Sequence, residues 1–169
     1  MAFVARSVLV AIVLTAIGCS GERASKLPAS GTDTIRVAPS IDFKDIDGKE
    51  WKSRDLAEQT VLIEFWATWC VPCREIAPEL HSFHKRTKHR VTLLSLSLDE
   101  SRGEVEEYQA KHPFPNPVVH AGPNTAKEWG VAQIPALVLV RKGKVVFQWA
   151  GKESVLQGLR AIEADLANN

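Results

Sequence analysis

The sequence predicts an α/β sandwich built on a mixed sheet, and three observations carry that expectation. Residues 61–67 form a near-continuous apolar run, as a strand buried on both faces requires. A helical pattern follows at once, and residues 91–98 then read as a second strand, giving strand, helix, strand in order. A later hairpin and a closing helix complete two layers of helix around one sheet. The 169 residues suit one domain of ordinary size plus an appendage.

Taken in order, Asp45-Ile46-Asp47-Gly48 is a turn signal between residues 41–43 and 50–52, which predicts a short hairpin. The run at 61–67 holds a single acid, Glu64, among apolar neighbours. A helix begins near Cys70, with Ile76, Ala77, Leu80 and Phe83 on its apolar positions. Residues 101–111 form a helix opened by Ser101 with Glu104 three places on, the pattern of a capping box. Pro113, Pro115 and Pro117 end it and impose a loop. A short helix is expected at 124–129, strands at 136–140 and 144–149 around an Arg141-Lys142-Gly143 turn, and a helix at 153–166.

The appendage is N-terminal. Arg6, an apolar run over residues 7–17 and small Gly18 read as a secretory signal, since the run is too short to span a bilayer. Ala16-Ile17-Gly18-Cys19 resembles the lipobox of bacterial lipoproteins, with Ala16 where leucine is usual; this makes Cys19 the expected lipidation site. Residues 20–36 are small, polar and aperiodic, and read as a flexible tether; about 20 such residues span roughly 25 Å. Residues 37–169 are the expected domain.

Charge and cysteine content narrow the function. With 21 Lys and Arg against 20 Asp and Glu, the net charge is +1, and there is no basic field suited to nucleic acid. Three cysteines are too few for a disulfide-built scaffold. A domain of about 130 residues buries roughly two-thirds of its unfolded surface. Folding then requires neither metal nor disulfide, and no cofactor is expected.

Trp69-Cys70-Val71-Pro72-Cys73 stands where a buried strand gives way to a helix. There the positive end of the helix dipole stabilises a thiolate at Cys70, the form that attacks disulfides, and Cys73 follows one turn later. Zinc held by Cys70, Cys73, His81 and His84 is the competing reading, along with a purely structural disulfide. The two pairs are too close in sequence for a finger, and the histidines lie among Lys85, Arg86, Lys88 and His89, as on a solvated basic face. Covalent haem would need histidine after Cys73, where Arg74 stands. A peroxidatic cysteine would need an upstream proline that residues 65–67 lack.

Residues 64–74, continuing into Ile76-Ala77-Pro78, resemble the active site of thioredoxin-fold proteins. Residues 130–135 and the 136–149 hairpin resemble that superfamily's cis-proline loop and the hairpin after it. The N-terminal hairpin and residues 97–119 resemble the TlpA/ResA-type branch, membrane-tethered extracytoplasmic thiol-disulfide oxidoreductases with a strand-helix insertion. The resemblance implies a three-layer thioredoxin fold and a redox-active Cys70–Cys73 disulfide. It also implies a cis Pro135 facing the cysteines, and client contacts by Trp69, Val71, Pro72 and Ile134. Two departures stand out. The branch often carries an acid three residues after the second cysteine, where this chain has Ile76, with Glu75 one place earlier. Glu64 occupies the buried-acid position where thioredoxin has Asp and the branch usually has an uncharged residue; the resemblance to thioredoxin implies that it is the proton partner of Cys73.

The expected protein is thus a monomeric reductase of protein disulfides, acting in the bacterial periplasm or cell envelope. Cytochrome c or copper-site biogenesis are the implied settings, with recharging by a transmembrane thiol donor. A metal-binding (zinc or copper) module and a client-holding chaperone on the same fold are the alternatives.

Overall fold

The computed structural model describes residues 32–168. The signal-like segment, Cys19 and most of the expected tether lie outside them.

The apolar run becomes β4 (Thr60–Trp66), buried from Val61 onward. It is central because it has no solvent-facing side. It pairs in parallel with β5 (Thr92–Ser97) and antiparallel with β7 (Ala136–Arg141). Outside these lie β6 (Val118–His120), parallel to β5, and β8 (Lys144–Ala150), antiparallel to β7. Strand β1 (Thr32–Val37) closes the far edge against β8. Among the described residues the main sheet runs β1-β8-β7-β4-β5-β6, and a hairpin of β2 (Asp42–Lys44) and β3 (Glu50–Lys52) stands apart from it. That hairpin is tied to the β6 edge by the Ile46 N–H, which donates to the Val118 carbonyl at 2.9 Å.

Alternation along β4 and β5 sends side chains to two cores. Leu62 and Leu93 face Leu80 and Phe83 of α2 (Val71–Thr87) and Leu159 and Ile162 of α5 (Lys152–Ala167). Val61, Ile63, Phe65, Leu94 and Leu96 face the opposite layer, around Trp129. This other layer includes the short helices α1 (Ser53–Leu56) and α4 (Asn124–Glu128). Glu64 and Ser95 share parity with Leu62 and Leu93, so both point to the face that α2 covers. A third cluster joins Trp66, Ala67, Cys70, Cys73, Val105 and Val118, with Tyr108 of α3 (Arg102–Lys111), Phe114 and Ile134 packed against it.

Two expectations are corrected here. Residues 32–36, read as the end of a tether, form most of β1, because backbone pairing to β8 orders them without any apolar periodicity. His81 and His84 do not lie on a solvated face: both are half-buried beneath the 112–115 segment. His81 meets the Phe114 ring at 4.8 Å. Burial, then the charges of nearby basic groups, pushes the His81 pKa down. Lys85, Arg86, Lys88 and His89 are exposed, as expected.

Candidate active site

The site is built where β4 ends and α2 begins. Cys70 is the N-cap of α2, and its Sγ accepts a hydrogen bond from the Cys73 N–H at 3.2 Å. Pro72 lies in the first turn, where its missing N–H costs nothing. Cys70 and Cys73 are joined in a disulfide, both buried, while Trp69 and Val71 beside them are 66% and 53% exposed. Pro78 sits inside α2 without interrupting it.

Asp99 supports the loop that carries these residues. It is 1% exposed, and its carboxylate accepts from the Thr68 N–H at 3.0 Å and from the Thr68 hydroxyl at 2.6 Å. The Ser97 hydroxyl donates to it as well, also at 2.6 Å. Sequence reasoning missed Asp99. Its signal was a Ser-x-Asp at the end of a buried strand beside the active-site strand.

Glu64 is 2% exposed and accepts a hydrogen bond from the Ser95 hydroxyl, directly across the β4–β5 register. Asn116 Nδ2 donates in turn to Ser95 Oγ at 2.8 Å. Burial pushes the Glu64 pKa up to about 7, opposed by the Ser95 bond. The carboxylate is partnered by a hydroxyl rather than by a lysine or arginine. Ser95 and Asn116 were also missed, being 31 and 52 residues from Glu64 in sequence.

The Ile134–Pro135 peptide is cis. Ile134 packs against the cluster that holds both cysteines. With Trp69, Leu98, Ala126 and Val131 it lines a hollow of about 330 Å³. The cis-proline loop and the exposed tryptophan thus meet at one surface. Ile76 is buried in the α2–α5 core, and Glu75 is exposed and paired with Lys152 at 2.7 Å, so neither supplies an acid to the sulfurs. The four donors of the zinc reading are not brought together, since the cysteines bond each other and the histidines face Phe114 and the Pro115 backbone. No group of three or more His, Cys, Asp or Glu placed to hold a metal occurs among the described residues.

A redox-capable cysteine pair at a helix start, with the residue before a cis-proline packed against its cluster on a thioredoxin-type sheet, defines a thiol-disulfide oxidoreductase. Comparisons with known proteins agree. A thioredoxin-like family model matches residues 58–146, over half of the chain. ResA, a thiol-disulfide oxidoreductase of Bacillus anthracis, is 30% identical over 122 residues, covering 70% of each chain. A thioredoxin of Alicyclobacillus acidocaldarius is 32% identical over 111 residues, covering 66% of this chain and 82% of its own. A crystal structure of a thiol:disulfide interchange protein of the thioredoxin family from Chlorobium tepidum superposes with a TM-score of 0.66 at 25% identity, covering 82% of this chain and 99% of that one. The chain belongs to the thioredoxin superfamily and is of the ResA type.

Proposed function

We propose that this thiol-disulfide oxidoreductase works outside the cytoplasm, tethered to a membrane through Cys19, as a reductase of client-protein disulfides. The observation that carries the reading is the Cys70–Cys73 disulfide closed across the first turn of α2, with Cys70 as the cap. In the reduced protein the Cys70 thiolate attacks a client disulfide. A Cys70–client S–S bond forms, the client S–S bond breaks, and the second client sulfur leaves as a thiolate. Cys73 then gives its proton to Glu64 and attacks Cys70, closing the protein disulfide and releasing the client's first sulfur. Two electrons pass from protein to client, and a transmembrane thiol donor restores the dithiol.

Trp69, Val71, Pro72, Ile134 and Pro135 form the surface on which an extended client segment lies, with Ile134 offering its backbone for strand addition. The exposure of Trp69, Val71 and Pro72 around two buried sulfurs, with Ile134 half-buried beside them, supports this assignment. Clients bearing cysteine pairs that await haem or copper fit a reductase in an oxidising compartment. The names of the ResA relatives support the activity, and the lipobox-like segment supports the tether.

The test is capture of mixed disulfides. Cys73→Ser should accumulate covalent client adducts that dithiothreitol releases, and Cys70→Ser should accumulate few. Equal trapping by both variants would reverse or abolish the assignment of attacking thiol. Cys19→Ala should move the protein from the membrane fraction to the soluble fraction; retention on the membrane would rule out the lipid tether.

A further inference from the structure

A second groove, sharing no lining residue with the hollow at the cis-proline loop, lies between the first turns of α2 and the end of α3. Its volume is about 530 Å³, and Arg74, Pro78, His81, Lys111, His112 and Phe114 are among its lining residues. The floor is a preformed aromatic cluster. Phe114 meets Trp66 at 4.8 Å and His81 at 4.8 Å between ring centroids, so filling the groove requires no rearrangement of it. Trp66 and Phe114 pack in the cluster that also contains Cys70 and Cys73, and Arg74 on the groove's rim follows Cys73 directly in the chain.

The rim is cationic. Arg74, the residue after Cys73, is exposed, and its guanidinium has no hydrogen-bond or ion-pair partner among the described residues. It acts electrostatically on the Tyr108 hydroxyl, on the α3 wall. Lys111, on the opposite lip, is shared with Glu107 in a pair whose two side chains are 65% and 72% exposed, a contact of small energy. No acid lines the groove. Burial pushes the His81 pKa below its ordinary value, and the lysine and arginine that line the groove are Lys111 and Arg74.

We propose that this groove binds a client segment carrying an aromatic or aliphatic side chain next to acidic residues, and so selects disulfides flanked by acidic sequence. The proposal rests on the oxidoreductase reading above and adds a determinant of substrate choice. An apolar floor supplies area, while two cations on the rim, one of them next to Cys73 in the chain, steer and orient an anionic strand. Arg74 would otherwise stand unpaired next to the chemistry.

The test uses two oxidised peptides, each with one intramolecular disulfide. They are identical except that Phe-Glu-Glu or Phe-Lys-Lys precedes the first cysteine. Single-turnover rates of the reduced full-length protein are read by stopped-flow tryptophan fluorescence at low and high salt. The acidic peptide should react about fivefold faster than the basic one at low salt, with the ratio falling towards one in concentrated salt. Lys111→Glu should cut the ratio about threefold, and adding Arg74→Glu should invert it. Lys88→Glu, an equal change in net charge at the far end of α2, should leave the ratio intact. A ratio near one in the parent, or an equal effect of Lys88→Glu and Lys111→Glu, overturns the groove alone. Failure of the parent to reduce either peptide overturns the oxidoreductase reading and the groove with it. A parent that dimerises in sedimentation, with Lys111→Glu monomeric, would assign the groove to a second copy instead.

Discussion

Replacing Glu64 by glutamine should make the protein more stable at neutral pH, and the size of the effect follows from burial. The side chain is 2% exposed, and its pKa rises from an ordinary 4.5 to about 7. An acid that binds its proton more tightly when folded gives stability that is fully present below pH 4.5 and lost as pH rises through 7. Each pKa unit is about 1.4 kcal/mol, so ionising Glu64 in the fold costs roughly 3 kcal/mol relative to the unfolded chain. Glutamine keeps the shape and can still accept from Ser95, but it has no charge to strip of water. The assay is urea unfolding of parent and Glu64→Gln, both oxidised, across pH 4 to 8. The variant's advantage should grow by roughly 3 kcal/mol over that range, about 1.5 M in midpoint for a slope near 2 kcal/mol per molar urea. Every other titrating group is common to both proteins and cancels in the difference. Parallel pH profiles would show that Glu64 titrates as an ordinary carboxylate, which would remove the basis for its proton role. If the stability difference appears while the Cys73 resolution step keeps the parent's rate and pH profile, Glu64 is a buried acid without a part in the reaction.

Three further outcomes follow from named contacts. Ser95→Ala removes the hydrogen bond that opposes the rise of the Glu64 pKa, so the Glu64 titration should move to still higher pH when followed by carboxyl NMR. Gly158→Ala, which at an ordinary helix position gains up to about 1 kcal/mol, should here lose about 1–3 kcal/mol in urea unfolding. Its Cβ would stand 2.6 Å from the Trp149 ring, which is buried and cannot move aside. Asp99→Ala leaves the Thr68 amide, the Thr68 hydroxyl and the Ser97 hydroxyl without their acceptor, and should lower stability by about 3 kcal/mol and slow mixed-disulfide formation more than Ser97→Ala does.

What was legible in the sequence was local. The strand-to-helix junction at Cys70, the Ser101 capping box and the hairpin at Gly143 each depend on residues within a few places of one another, and each stands where it was expected. Strand β1 was not legible because its order comes from pairing with β8; Ile35 and Val37 remain 72% and 79% exposed, so no buried face marks it. Strand β6 is three residues long and follows a proline-rich loop, too short to show a period. The burial of His81 and His84 was hidden for a similar reason. Their cover, the segment around Phe114, comes from the insertion about 30 residues away, and nothing in α2 itself announces it. Glu64 could be read as buried from its neighbours alone, whereas the Ser95 and Asn116 that partner it required the register of β4 on β5.

The two departures from the TlpA/ResA pattern have one physical explanation. An acid three residues after the second cysteine would stand at Ile76, and in this chain that position lies 1% exposed in the core with Leu80, Phe83 and Leu159. A carboxylate there would lose its hydration with no donor among those apolar neighbours to replace it. Glu75, one place earlier, turns to solvent and is held by Lys152. Glu64 instead approaches the α2 layer from the sheet, where β5 offers the Ser95 hydroxyl at the matching register and Asn116 fixes that hydroxyl's direction. One donated hydrogen bond keeps a buried acid tolerable without holding it ionised, and a pKa near 7 is the result. The thioredoxin-like acid and the apolar Ile76 are therefore two halves of one arrangement, in which the titrating group is carried by the strand because the helix has committed its inner face to packing.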